Sequence, residues 1–196
     1  MGVTKIIYHD PRPFMVQDDI DSYTCSRGYG NPSGHSVSIA VATFTIVLIY
    51  NGYKAQFKHR CLYLGLLLTA AIILTALIGF SRLYLAAHSA DQILYGWQWG
   101  LWFAFFYYYV FYEFYKYTLN AIFRHEKKPE QFFLCSVMVF VVCFVVSLIV
   151  YFSVEAHFSV PESWKQELYD KCGTSSSPAF TDKSMTDSGS IFLFFG

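Results

Sequence analysis

The stretch "LYLGLLLTAAIILTALIGF", residues 62–80, decides the fold because it carries no charged residue over its whole length. A helix needs about 20 mostly apolar residues to cross the hydrocarbon core of a bilayer. Since water is absent there, backbone N–H and C=O groups have to pair within the segment, as they do in a helix. We therefore predict a membrane-spanning helix at this position.

Apolar runs of similar length lie on both sides of this stretch. One precedes it at residues 34–52, an aromatic-rich one follows at 92–114, and another lies at 132–152, while 187–196 looks like the start of a fifth. The chain is 14% charged, whereas a soluble domain carries about 25%. We predict an all-α fold, a polytopic helical transmembrane bundle with four full spans and a partial fifth. Buried helices of a soluble protein are the alternative explanation, but so many runs rarely occur outside membranes.

The spans suggest one integral membrane domain over residues 1–196. Its motif-bearing core covers 5–114, and an additional span with a polar loop covers 115–196. The first polar motif has no span before it and the last apolar run stops at Gly196, so we expect a fragment that is inactive alone. The net charge of +0 argues against a nucleic-acid partner, because phosphate-backbone binding needs a cationic surplus.

Basic residues indicate the orientation. They gather in two loops, 51–61 and 115–131, which lie on the same side if the spans alternate. Positive loops stay in the cytosol. The opposite side, with residues 1–33, 81–91 and 153–186, would then face the lumen or the exterior.

Five cysteines occur in the chain. Cys25 and Cys172 both fall on the predicted lumenal side, where disulfides form. A bond between them is conceivable, and two unpaired thiols are the alternative, because sequence alone cannot establish connectivity.

Three polar groups of residues fall on this same side. They are Lys5 with Arg12-Pro13, then "YGNPSGHS" at 29–36, then "SRLYLAAHSADQ" at 81–92. Arginine offers a planar fork that pairs two phosphate oxygens, while lysine acts as a point charge. Together with Arg82, the first group would neutralise a phosphoryl dianion.

The segment "NPSGH" lies where a span begins. Asn31 is expected to cap that helix and Pro32 to suit its first turn. Free N–H groups near Ser33 and Gly34 would attract an anion. This pattern predicts part of a phosphate site at the mouth of the first span.

Two histidines, His35 and His88, permit a division of labour. One could attack phosphorus and form a phosphohistidine, while the other protonates the departing oxygen and later activates water. We expect neither a metal nor another cofactor, because no cluster of carboxylates suited to hard cations is visible. Each residue alone has an ordinary explanation at a membrane surface, and only their conjunction favours a catalytic site.

These residues resemble the type 2 phosphatidic acid phosphatase (PAP2) superfamily, whose pattern reads K-x6-RP, then PSGH, then SR-x5-H. All three parts occur here without a gap, between residues 5 and 92. The resemblance implies that His88 is the nucleophile and His35 the acid. It implies phosphate binding by Lys5, Arg12, Ser33, Gly34 and Arg82.

One position departs from the pattern. The superfamily usually has an aspartate four residues after the nucleophile, which orients its imidazole, but here position 92 is Gln. Asp91, three residues after His88, could substitute because both offsets share a helix face. A glutamine at this spacing is similar to the glucose-6-phosphatase branch, as are "SRLYLAAH", "DPRPF" and the run from Trp164 to "KQELYDKC". That likeness implies an enzyme of the endoplasmic reticulum whose site faces the lumen.

The expected function is therefore hydrolysis of a phosphate monoester through a phosphohistidine, as in glucose-6-phosphatase. A lipid-phosphate phosphatase, acting on phosphatidate or a sphingoid-base phosphate, is the first alternative. A non-catalytic membrane subunit that keeps the fold is the second, although the motif is intact. The related vanadate haloperoxidases are soluble, so the spans argue against them.

Overall fold

The computed structural model describes residues 2–26, 28–52, 59–124 and 129–173, and within them all regular structure is helical, with no strand. The α-helices are α1 (Gly2–Tyr8), α2 (Pro13–Val16), α3 (Gly34–Gly52), α4 (Arg60–Tyr84), α5 (Ala90–Phe106), α6 (Glu113–Phe123), α7 (Pro129–His157) and α8 (Glu162–Cys172). A π-helical segment, Tyr107–Tyr112, joins α5 to α6. The all-α helical membrane fold expected from the sequence is confirmed.

Three helices are long and apolar enough to cross a membrane. They are α3, α4 and the part of α7 between Glu130 and Val154. These helices contain the predicted spans at 34–52, 62–80 and 132–152. The partial span predicted at 187–196 lies outside the described residues.

The predicted span at 92–114 is helical throughout, but unlike the other three spans it is not a single α-helix. The α-helix α5 has 17 residues, fewer than the roughly 20 that a straight span needs. Helical structure continues through the π-helical segment into α6, so the helical run extends from Ala90 to Phe123. This run is not among the three helices that are long and apolar enough to cross a membrane, so the crossing predicted at 92–114 would need three consecutive helical segments rather than one regular helix.

Small residues let α5 approach α3 closely. A Cβ atom added at Gly96 would lie 2.9 Å from the Ser33 carbonyl oxygen, and one at Gly100 would lie 2.5 Å from the Ala40 Cβ. Ala104, one further turn along α5, is fully buried. Spacings of four between small residues are typical of packed helices in membranes. This packing joins the start of α3 to the start of α5, where two of the sequence motifs lie.

A second core lies at the end of the bundle that carries the motifs. We call it the cap cluster, and its buried members are Phe14, Met15, Tyr29, Val160 and Leu168. It joins α2 to α8, whose Lys171 ammonium donates to the Phe14 and Gln17 carbonyl oxygens at 3.1 and 2.6 Å. Cys25 and Cys172 form a disulfide, so the pairing considered from the sequence is present and the alternative of two unpaired thiols is wrong. Helix α8 is thereby fixed to the segment that carries Arg12.

Candidate active site

The C-terminus of α4 sets the position of the third motif. Ala86 has φ 51°, a left-handed conformation that ends many helices. Its N–H donates to the Leu83 carbonyl at 3.0 Å, and the Ala87 N–H donates to the Arg82 carbonyl at 3.1 Å. This pair of bonds is a Schellman motif, and it turns the chain directly after Arg82. The spacing between Arg82 and His88 therefore has a backbone explanation.

The helix α5 begins immediately after His88. Ser89 is its N-cap, and a capping box joins Ser89 to Gln92. Two of the N–H groups that a helix start leaves without partners are satisfied in this way. His88 is 3% exposed and is held between the end of one helix and the start of the next.

The second motif begins α3, although not as expected. The helix begins at Gly34, and Asn31 instead donates from Nδ2 to Asp10 Oδ2 at 3.1 Å. The expectation that Asn31 caps the helix, with Pro32 in its first turn, is therefore wrong. Ser33 is fully buried, and its N–H donates to the Gln92 carbonyl at 3.1 Å. That N–H is not free for an anion, so Ser33 could contribute through its hydroxyl, while Gly34 has the first N–H of the helix.

Arg12 is the residue that most directly links the first motif to the third. Its guanidinium is 5% exposed and donates from Nε to the Gly28 carbonyl and from Nη1 to the Ala87 carbonyl, both at 2.7 Å. Nη1 also lies 3.4 Å from His88 Nε2. Burial and the nearby charge of Arg82 lower the pKa of Arg12 to about 10. The remaining Nη2 donors are available to bind an anion beside His88.

Lys5 approaches the same place from α1. Its ammonium donates to the Tyr29 carbonyl at 3.1 Å, which uses one of its three donors. Burial, followed by the charge of Arg12, lowers the pKa of Lys5 to about 8. An anion bound between these two cations would reverse that effect, since opposite charge favours the protonated amine.

His88 is a neutral imidazole at physiological pH. Burial lowers the pKa of His88 to about 3, with further lowering by Arg12 and Lys5. Hydrogen bonds with Gln92 and the Gly30 backbone act in the opposite direction and are weaker. A neutral imidazole keeps a lone pair for attack.

His35 and Arg82 are more open to solvent than His88. His35 is exposed on the first turn of α3, and Arg82 is partly buried at the end of α4. The charges of Arg82, Lys5 and Arg12 all reach the His35 imidazole. The structure therefore places the five ionisable residues of the three motifs within electrostatic reach of one another.

The pattern of the PAP2 superfamily matches residues 1–116, a segment that contains every residue of this site. The chain belongs to the PAP2 superfamily. Membership covers more than half of the 196 residues, and it confirms the resemblance drawn from the three motifs.

Curated relatives share about half of the chain. Dolichyldiphosphatase of Saccharomyces cerevisiae is 33% identical over 101 residues, which are 50% of this chain and 41% of that protein. Glucose-6-phosphatase catalytic subunit 1 of Bos taurus is 30% identical over 112 residues, 48% of this chain and 31% of the relative, and that of Rattus norvegicus is 32% identical over 113 residues. The chain thus spans less than half the length of these relatives. No solved structure gives a significant match.

Sequence reasoning missed two features of the site. Arg12 is fixed by backbone carbonyls of Gly28 and Ala87, and such contacts leave no trace in side-chain patterns. The sequence marks Gln92 as a departure from the superfamily and as a likeness to the glucose-6-phosphatase branch, but it assigns Gln92 no contact. The spacing of Ser89 and Gln92 is that of a capping box, which could have placed the glutamine beside His88.

Proposed function

We propose that this PAP2 protein is an integral membrane phosphatase that forms a phosphohistidine at His88. The observation that carries the proposal is the buried contact between the Arg12 guanidinium and His88 Nε2, 3.4 Å apart. A phosphoryl group seated there would meet a neutral nucleophile and a cation together. The proposal treats residues 5–114 as the catalytic core of a single membrane domain.

Two steps account for the chemistry. First, the His88 Nε2 lone pair attacks phosphorus, the bond to the leaving oxygen breaks, and His35 gives that oxygen a proton. Next, water loses a proton to His35 and attacks the phosphohistidine, which releases inorganic phosphate and restores the His88 imidazole. The exposure of His35 suits exchange of a leaving group and a water molecule, whereas the burial of His88 suits a protected nucleophile.

Three cations would hold the phosphoryl group. Arg12 and Lys5 have donors beyond their backbone contacts, and Arg82 acts electrostatically on both Arg12 and His35. The Ser33 hydroxyl and the Gly34 N–H complete the proposed set. Since charge spreads over the equatorial oxygens in the transition state, fixed cations there lower the barrier.

The proposed site faces the lumen of the endoplasmic reticulum. The basic loops at 51–61 and 115–131 favour this orientation. The Cys25–Cys172 disulfide also supports it, because such bonds persist in oxidising compartments.

The substrate is proposed to be either a sugar phosphate or a lipid phosphate. Glucose 6-phosphate is the first candidate, because the glutamine at position 92 and the run from Trp164 to Cys172 are similar to the glucose-6-phosphatase branch. A polyprenyl diphosphate is the second, because dolichyldiphosphatase of Saccharomyces cerevisiae is 33% identical over 101 residues. The second candidate widens the reaction from monoesters to diphosphates.

The deciding experiment uses the full-length protein in proteoliposomes with glucose 6-phosphate, phosphatidate and dolichyl diphosphate side by side. We expect phosphate release from one class, unaffected by EDTA and absent in His88→Ala, together with acid-labile ³²P labelling of the wild-type protein alone. Release without labelling, or labelling that survives in His88→Ala, would contradict the mechanism. Absence of release from all three substrates would favour the non-catalytic alternative.

The division between the two histidines has its own test. In His35→Ala, p-nitrophenyl phosphate needs little help to leave, so phosphorylation should be partly rescued. Water would still attack slowly, and labelled enzyme should accumulate. Labelling that disappears in His35→Ala and persists in His88→Ala would reverse the two assignments.

A further inference from the structure

Gln92 contacts all three sequence motifs at once. Its Nε2 donates to the Pro11 carbonyl at 2.8 Å, next to Arg12. Its Oε1 lies 3.3 Å from His88 Nδ1 and 3.3 Å from the Ser89 N–H. Its own backbone carbonyl accepts from the Ser33 N–H at 3.1 Å. The side chain is 3% exposed, so these bonds replace water rather than compete with it.

The donors and acceptors in this group have only one consistent assignment. A carbonyl oxygen can only accept, so Pro11 fixes which end of the Gln92 amide carries the N–H groups. The other end, Oε1, must then accept from His88 Nδ1, which therefore carries the proton. On the far side of the ring, the Arg12 guanidinium can only donate, so His88 Nε2 must present its lone pair.

We propose that Gln92 is a positioning residue that holds His88 in the tautomer whose Nε2 lone pair faces Arg12 and the phosphoryl group. The inference rests on the proposed role of His88 as nucleophile. The chain of bonds begins at a backbone carbonyl, so it does not depend on any other side chain outside the site.

Asp91 does not share this role. It is exposed on the first turn of α5, whereas the side chain that lies beside His88 Nδ1 is that of Gln92. The suggestion from the sequence that Asp91 could replace the usual aspartate is therefore not supported by its position. Asp91 instead provides a matched control, one residue away on the same helix.

A neutral partner has a consequence that an aspartate would not have. Arg12 and Lys5 face His88 directly, with Arg82 and His35 in the same group of charges. These cations keep the imidazole unprotonated, and an amide adds no negative charge against them. A carboxylate at position 92 would favour the imidazolium, and His88 would then lose its lone pair at low pH.

Gln92 is also part of the capping box of α5, so a structural role has to be separated from a positioning role. Gln92→Glu preserves the capping box, since glutamate serves there as well as glutamine. It retains the acceptor for His88 Nδ1 but cannot donate to the Pro11 carbonyl. Gln92→Leu removes every side-chain bond, and Asp91→Asn is the control.

The activity test measures kcat and KM against pH for the full-length protein in proteoliposomes. For Gln92→Leu we expect kcat to fall by about 10- to 100-fold, the loss seen when partners of metal-binding histidines are removed, while KM changes little. For Gln92→Glu we expect the acidic limb of the profile to move to higher pH. A Gln92→Glu profile that coincides with the wild type, or an equal shift in Asp91→Asn, would overturn the inference.

A second readout needs no turnover. Nitrogen-15 NMR of protein labelled at histidine reports which ring nitrogen carries the proton, with His88→Gln used to assign the signal. We expect a protonated Nδ1 at His88 in the wild type and a mixture of tautomers in Gln92→Leu. A protonated Nε2 in the wild type would overturn the inference even if the protein is an active phosphatase. Failure of all substrates with the expected tautomer present would overturn the proposed function alone.

Discussion

At the scale of single residues, Arg12 has two roles. The N–H groups that fix its position are not the same ones that would bind phosphate. Two of its donors are used by the Gly28 and Ala87 carbonyls, which joins the first motif to the turn before His88. A lysine could not satisfy both carbonyls, and a buried acceptor left without a partner costs about 1–3 kcal/mol. Arg12 is therefore both a phosphate-binding residue, as proposed, and part of the framework of the site.

We expect Arg12→Lys to lose both activity and stability. One well-placed transition-state contact is worth about 10² to 10³ in rate, so kcat/KM should fall by at least that amount. Thermal unfolding in detergent should also move to lower temperature because of the unpaired carbonyls. Lys5→Arg is the control, since a cation replaces a cation and a single carbonyl bond is at stake. Equal losses in the two variants would contradict the distinction.

Lys5 should set the alkaline limb of the activity profile. Its pKa is lowered to about 8, so the free enzyme loses this cation as the pH rises through that value and kcat/KM should fall. Between pH 8 and the ordinary lysine pKa of 10.5, the folded protein binds fewer protons at Lys5 than the unfolded chain does. The free energy of unfolding contributed by this group therefore rises over that range. Activity should therefore fall without unfolding.

The check is a pH profile of kcat/KM alongside circular dichroism. Lys5→Arg should move the alkaline limb to higher pH, because arginine stays protonated throughout. If the alkaline limb of the kcat/KM profile is unchanged in Lys5→Arg, the ionisation that causes it belongs to a group other than Lys5.

At the scale of the elements, the turn between α4 and α5 holds one residue in a strained backbone conformation. A left-handed conformation costs a residue with a Cβ atom roughly 1–2 kcal/mol, and Ala86 adopts it with φ 51°. We expect Ala86→Gly to preserve activity and to raise the free energy of unfolding by up to about 1 kcal/mol. Ala86→Val should destabilise the protein, since a β-branched residue is poorly tolerated there.

Thermal unfolding of both variants in the same detergent checks this expectation, with activity measured in parallel. Leu83→Ala, on an exposed position of α4, is a control for changes in helix surface alone. A lower stability for Ala86→Gly than for the wild type would contradict the role assigned to this turn.

Sequence predicts helices better than it predicts what holds them together. The span at 34–52 coincides with α3, because an apolar run in lipid has few structures open to it. Asn31 was wrongly expected to cap that helix, since a tertiary bond to Asp10 outweighs its local preference. The packing of α8 on α2 joins residues far apart in the chain, and no local pattern indicates such a contact. The motif spacing predicts the candidate site residues, whereas the bonds of Arg12 and Gln92 depend on tertiary contacts with backbone carbonyls that no local pattern indicates.

For the whole molecule, the site depends on a contact between an early segment of the chain, around α2, and the distant helix α8. Phe14 and Met15 follow Arg12 directly and are fully buried in the cap cluster. Leu168 and Val160 complete that cluster from the region of α8. A part of the chain outside the region of residues 1–116 that matches the superfamily therefore stabilises the segment that carries Arg12.

The disulfide between Cys25 and Cys172 should be necessary for this arrangement. Removal of a native disulfide costs about 2–5 kcal/mol in small secreted domains, mainly because the unfolded chain gains freedom. Here the spans would stay inserted when the cap loosens, so we expect a loss near the lower end, about 2 kcal/mol. Cys25→Ser and Cys172→Ser should each release α8 from α2, expose Lys171 to trypsin and reduce kcat/KM through Arg12. The double variant should lose no more stability or activity than either single variant.

Cys61→Ser is the control, because Cys61 is an exposed free cysteine. In the denatured, unreduced protein a maleimide reagent should label Cys61, Cys135 and Cys143 but neither Cys25 nor Cys172, and after reduction it should label all five. Labelling of all five without reduction in protein from microsomes would contradict both the bond and the lumenal placement that it supports.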